Sequence, residues 1–145
     1  ERITRRAFIT QTWDLKLNGF PSNRGAIELP NPNLLTVTSV TYTDENGASQ
    51  TMDAGNYVVT APAGPMAERG WLSLAYNEDW PETYDQADAV TIRFTCGYGA
   101  TAASVPDDIR TAILLKLGEL YDNRAGGGMS DSAEALLHPY RSVRW

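Results

Sequence analysis

Three groups of residues have the types and spacing that could do chemistry. Gly97-Tyr98-Gly99-Ala100-Thr101-Ala102 follows an alternating apolar run and precedes a helical one, the setting of a dinucleotide-binding loop. In that role the helix start would carry a pyrophosphate, yet Asp107 and Asp108 stand there and oppose an anion. The surrounding pattern is a meander and lacks alternating strand and helix units, so a turn is the better reading. Glu78, Asp79, Glu82 and Asp85 offer oxygen ligands for calcium or a carboxylate pair for glycoside hydrolysis. Their spacing matches neither, and carboxylates on a proline-containing loop are usually solvated. Serine, aspartate and His138 are all present, but this single histidine directly precedes Pro139 near the end of the chain, where it suits a helix C-terminus better than a triad. No nucleophile, base and orienting group can be nominated together. The expectation is a protein that is not an enzyme, with no catalytic residue, no metal site and no cofactor.

The elements that position these residues belong to one domain. With 145 residues, 42% hydrophobic and 21% charged, the chain can bury a continuous core without metal or disulfide staples. No apolar run approaches the roughly 20 residues of a membrane span, and ERITRR has no apolar signal core behind it. Cys96, the one cysteine, lies in an alternating strand and reads as a buried thiol, which fits assembly in a reducing cytoplasm. The start of the chain, without methionine, reads as trimmed, with Glu1 to Arg6 as the end of a helix.

Charge is uneven. Residues 1–24 carry five basic and two acidic groups, residues 25–104 two and ten, and residues 105–145 five and six, within a total of −6. The acidic β region should repel nucleic acid, whose duplex carries one negative charge per ~1.7 Å of axis.

Alternation places a strand over Ile9 to Leu17, with Ile9, Trp13, Leu15 and Leu17 on one face. Further strands follow at Ala26 to Leu29, Leu34 to Thr43, Ser49 to Met52, Tyr57 to Thr60, Trp71 to Tyr76 and Val90 to Cys96. Asn46-Gly47 suits a type I′ hairpin turn. The main helix begins with Ser104 as N-cap, Pro106 in the first turn and Asp107 and Asp108 at the positive dipole end, and Arg124 closes it before Gly126. Ile109, Ala112, Ile113, Leu117 and Leu120 form its apolar stripe, which Leu114 and Tyr121 widen beyond a one-sided helix. Either a second contact surface covers the excess or the sheet wraps the helix. Gly126 to Gly128 permit a hinge, Asp131 and Glu134 resemble a capping box for a short helix, and Pro139 stops it.

The last residues match protein interfaces in composition. Tyr140, Arg141, Arg144 and Trp145 are of the types that dominate binding energy, which favours docking over a frayed end. Arg2, Arg5 and Arg6 either meet an acidic partner or DNA or balance a helix end. A second function class also fits, a β-sandwich module recognising carbohydrate or a receptor through Trp71, Trp80 and Tyr84 as a stacking platform.

Four segments in order, ITQTWDL (Ile9 to Leu15), AVTIRFTCGYG (Ala89 to Gly99), VPDDIRTAILLKLGELYDNR (Val105 to Arg124) and ALLHPYR (Ala135 to Arg141), resemble the head-to-tail connector, or adaptor, proteins of long-tailed bacteriophages and related gene transfer agents. The elements read from the residues make an α+β fold: a β-rich part of about seven mainly antiparallel strands over residues 7–98, barrel or sandwich, a main helix over 104–125, a short helix over 131–138 and a docking tail over 139–145. Further N-terminal helices, usual in the family, are then missing from this chain. The resemblance implies a virion neck protein assembled in the host cytoplasm, a homo-oligomeric ring typically of twelve subunits between portal and tail or stopper, with DNA passing through unread during packaging and ejection. Partners would be the portal protein, a stopper or tail terminator, and other copies, with no membrane. His138, Pro139, Tyr140, Arg141, Arg144 and Trp145 would dock on the portal, and Leu114, Leu117 and Tyr121 would make inter-subunit helix contacts.

Overall fold

The computed structural model describes residues 1–122 and 128–142. Seven strands form two antiparallel sheets that face one another across a shared core. The first contains β1 (Gln11–Leu17), β3 (Leu34–Thr43), β4 (Ser49–Thr51) and β7 (Val90–Cys96), in the order β1-β7-β3-β4. The second contains β2 (Ile27–Glu28), β5 (Tyr57–Thr60) and β6 (Trp71–Leu74), in the order β2-β6-β5. Two helices follow, α1 (Asp107–Asp122) and α2 (Asp131–Leu137). The architecture is the expected α+β one, and the β part is a sandwich.

β7 is the spine because its alternation is unbroken. Val90, Ile92, Phe94 and Cys96 are all 0% exposed on the inner face. They pack against Leu34 and Val40 of β3 and, across the sandwich, against Ile27 and Leu72 of the second sheet. On the outer face Arg93 grips Asp14 through two hydrogen bonds of 2.7 and 2.8 Å. That guanidinium holds the Asp14 carboxyl below its ordinary range. The Cys96 thiol, deprived of solvent, is pushed up to about 11. At pH 8 the native protein should therefore resist alkylation by iodoacetamide, and labelling should appear only with unfolding, as followed by mass spectrometry across a urea series. Rapid labelling of the native chain would contradict this packing.

Several local expectations are corrected. β1 starts at Gln11, so Ile9 precedes the strand. The hairpin after β3 is not type I′: only Gly47 has positive φ (81°), and its N–H donates to the Asp44 carbonyl at 2.9 Å, a type I turn followed by a left-handed glycine. The Asp44 carboxylate also accepts from the N–H groups of Asn46 and Ala48, fixing the turn by side chain where φ was expected to do so. Ser104 belongs to a separate 3-10 turn, and α1 begins three residues later, where the Pro106 carbonyl accepts from Arg110. α2 is capped by Ser130, whose hydroxyl accepts from Ala133 N–H at 3.3 Å, one residue before the anticipated Asp131. Arg124, Gly126 and Gly127 lie outside the described residues, while the Gly128 carbonyl accepts from Lys116 Nζ at 2.6 Å.

The glycine pair after β7 serves a turn. Gly97 (φ 132°) runs so close to the N-terminal segment that a Cβ there would sit 2.7 Å from the Ile9 carbonyl oxygen. Its N–H donates to the Asn33 carbonyl, and Thr10 N–H donates to the Gly99 carbonyl. This close approach carries the chain from the sandwich to the helices and leaves no room for a phosphate.

Candidate docking surfaces

The helices form a second, smaller core on the end of the sandwich. Ile109 and Ala112 of α1 meet Ala133 and Leu137 of α2, with Val105 and Tyr140 closing the cluster and Phe8 and Tyr98 at its edge. Only these two positions of the expected α1 stripe are buried. Ile113, Leu114, Leu117, Leu120 and Tyr121 remain 45–79% exposed. The sheet does not wrap α1. At 100° per residue these five positions form one continuous apolar face beside the buried one. Contiguous apolar surface of this kind is a candidate contact surface, and each such side chain fully buried by a partner would contribute about 1.5–3 kcal/mol. Where this face meets the N-terminal turn it opens into a groove of about 390 Å³, lined by Ile3, Phe8, Ile113, Leu117, Leu120 and Leu137 among others.

The C-terminal stretch is placed otherwise than its composition suggested. Residues His138–Tyr140 form a 3-10 turn directly after α2. Tyr140 is only 4% exposed and its hydroxyl donates to Asp108 Oδ2 at 3.0 Å. Burial, with that carboxylate beside it, raises the phenol above its ordinary value. Ser142, also buried, donates its N–H to the Thr4 carbonyl at 3.0 Å. Tyr140 is thus a latch of the subunit's own core and does not stand free as an anchor, because its ring fills the space between α1 and α2. His138, Pro139 and Arg141 are exposed, with Arg141 3.6 Å from Glu134. Arg144 and Trp145 lie outside the described residues.

Arg6 is the residue whose weight the sequence concealed. It is 3% exposed, donating from Nε to the Tyr140 carbonyl (2.5 Å) and from its terminal nitrogens to the carbonyls of Ala67 (2.6 Å) and Met66 (3.2 Å) and to Asn33 Oδ1 (3.4 Å). One guanidinium therefore ties the N-terminal turn, the loop before β6 and the C-terminal turn together. Three arginines in five residues gave no signal as to which was internal, since the distinction depends on contacts 60 to 134 residues away. Arg2 and Arg5 are exposed.

The remaining candidates separate. Asp79 pairs with Arg24 at 3.4 Å, while Glu82 lies against Glu45, whose carboxyl it raises above the ordinary range. Among the described residues, no three histidine, cysteine or acidic side chains converge as a metal site would require. Trp80 stacks on Phe20 with ring centroids 4.9 Å apart, and its indole N–H donates to the Gly25 carbonyl. One face of the supposed stacking platform is thereby spent inside the subunit, whereas Trp71 and Tyr84 stay partly exposed.

No protein-family model matches this chain, and no curated protein matches it. Solved structures do. A chain from the virion of a native gene transfer agent particle is 25% identical with a TM-score of 0.77, over 99% of this chain and 71% of that one. A chain from the neck of an empty gene transfer agent particle, computed with C6 symmetry, gives the same identity, TM-score and coverage. A third, from the neck of the native particle computed with C12 symmetry, shares the fold at 24% identity and a TM-score of 0.78, over 99% of this chain and 76% of that one. The two likenesses at 25% identity support a neck-type structural protein of the virion.

Proposed function

We propose that the chain is a head-to-tail connector, or adaptor, subunit that forms a ring between the portal and the tail or stopper, around the channel through which DNA passes. The observation that carries this reading is the exposed apolar face of α1, which includes Leu114, Leu117 and Tyr121. A helix packed on one side and apolar on two needs a neighbour. In a ring, each copy supplies that face and receives the next copy, a heterologous contact that closes when its rotation divides a full turn. One similar chain belongs to a neck computed with C12 symmetry and another to a neck computed with C6 symmetry, and a ring of twelve is compatible with both. The acidic balance of the β region would keep moving DNA from adhering to the wall. In this proposal the protein supplies geometry and does no catalysis.

Portal docking, in the same reading, falls to the exposed residues His138, Pro139 and Arg141 together with Arg144 and Trp145, the turn itself being held by the Tyr140 latch. Removing 139–145 would also remove that latch, so the cleaner variant ends at Ser142 and carries Arg141→Glu. Co-purification with the cognate portal should fall by about tenfold or more, the expected scale for losing interface anchors, while the thermal melt stays unchanged. Undiminished portal binding by a folded variant would reject the docking role of this stretch.

A further inference from the structure

The apolar groove beside α1 and the C-terminal turn are held by the same few residues. Thr4, fully buried, lines the groove, and its carbonyl accepts the Ser142 N–H at 3.0 Å. Two residues further on, Arg6 donates from Nε to the Tyr140 carbonyl. Leu137, which also lines the groove, is the last residue of α2 and passes straight into the turn His138–Tyr140. Whatever fills the groove therefore rests on residues one hydrogen bond or one peptide bond away from the stretch proposed to meet the portal.

Residues 1–6 are packed on one side only. They form turns and no regular helix, closed by the Arg5 N–H donating to the Glu1 carbonyl at 2.7 Å. Arg5 stands at φ 55°, a left-handed conformation that a non-glycine residue keeps only where surrounding contacts hold it. On the inner side Thr4 and Arg6 supply those contacts; on the groove side Ile3 is 39% exposed and borders a space of about 390 Å³. Segments with so few buried apolar contacts lie at the low end of local stability. The C-terminal turn inherits that weakness. Among the described residues, three hydrogen bonds tie 138–142 to elements beyond α2: the Tyr140 hydroxyl to Asp108, Arg6 Nε to the Tyr140 carbonyl, and the Ser142 N–H to the Thr4 carbonyl. Two of the three run through residues 1–6.

We propose that residues 1–6 are a relay between the two contact surfaces of the subunit: a neighbouring copy packing on Ile3 at the groove orders this segment, and the segment, through Thr4 and Arg6, orders the turn 138–142 for the portal. The inference rests on the ring reading and adds a coupling to it. A turn already ordered by the ring contact loses less freedom when the portal binds, so each contact favours the other, as linkage between two sites requires.

Hydrogen exchange of the full chain tests it, with no portal present. The readout is the amide of Arg141, which closes the turn by donating to the His138 carbonyl at 3.2 Å, followed by mass spectrometry above and below the concentration at which rings form. Two variants accompany the wild type, each confirmed as folded by its thermal melt. Ser142→Pro deletes the N–H that reaches Thr4, after a residue, Arg141, whose extended backbone tolerates a following proline. Ile3→Ala removes the half-exposed side chain on which the neighbour would pack, at little expected cost to folding. In wild type, ring formation should slow exchange at Arg141 by about tenfold or more, since opening free energies set these rates. Rings of either variant should lose most of that slowing. Equal slowing in the rings of wild type and both variants would overturn the relay, because the neighbour would then cover the turn directly. Wild-type rings with unaltered exchange would also overturn it and leave the ring standing. A wild-type chain that stays monomeric at all concentrations would overturn both the relay and the ring.

Discussion

Replacing Leu114 and Leu117 together by glutamate should convert the assembled protein to monomers while leaving the thermal melt of the subunit nearly unmoved. The two side chains are already 66% and 61% exposed in the single chain, so folding loses little when they change. Leucine and glutamate have similar helix propensities, and the sites lie within α1, so the helix itself is not weakened. In an assembly that buries this face the same substitutions set two carboxylates in apolar surroundings without partners. Losing two buried leucines and desolvating two charges costs several kcal/mol, enough to lower an association constant by about a thousandfold or more. Mass photometry across a concentration series, paired with a thermal melt, separates the outcomes. Unchanged assembly would mean the apolar face serves no contact between copies, and a collapsed melt would mean it belongs to the subunit's own core.

Arg6→Met should be the most damaging single substitution outside the sandwich core. Methionine keeps the length of the side chain but removes every donor, leaving the carbonyls of Tyr140, Ala67 and Met66 without the partner they share. Hydrogen bonds from a charged donor are each worth about 1.5–3 kcal/mol, against which stands the cost of holding a guanidinium out of water. A net loss of about 3 kcal/mol is expected in urea unfolding. Arg6→Lys should recover only part, because a single ammonium cannot reproduce a planar fork that reaches three carbonyls at once. Tyr140→Phe, which removes only the hydroxyl donating to Asp108, should cost about 1 kcal/mol. A loss for Arg6→Met below that of Tyr140→Phe would refute the clamp.

The strands and helices were largely legible because their signals are local. Val90 to Cys96 alternates without interruption and folds as one strand over that range, and the 3.6-residue pattern of α1 begins where Pro106 and the two aspartates place it. Turn chemistry was legible only to within one choice: Asn46-Gly47 marked the bend, but the Asp44 carboxylate selected the turn type. Within the C-terminal stretch the inward placement of Tyr140 was hidden for a physical reason. Aromatic and arginine side chains that dominate interfaces are equally suited to latch a small core, and only the Arg6 and Asp108 partners, distant in sequence, decide that Tyr140 is the latter. The excess apolar width of α1 was visible in sequence, but whether the sheet covered it was not, because coverage depends on how the second core sits at the end of the sandwich.

Electron microscopy of the purified chain at high concentration tests the central claim most directly. Class averages should show closed rings with a central opening, built from copies joined through the α1 face, and those rings should vanish in the Leu114→Glu, Leu117→Glu variant. Discrete monomers or closed two-fold dimers at every concentration, unaltered by that variant, would contradict a connector ring.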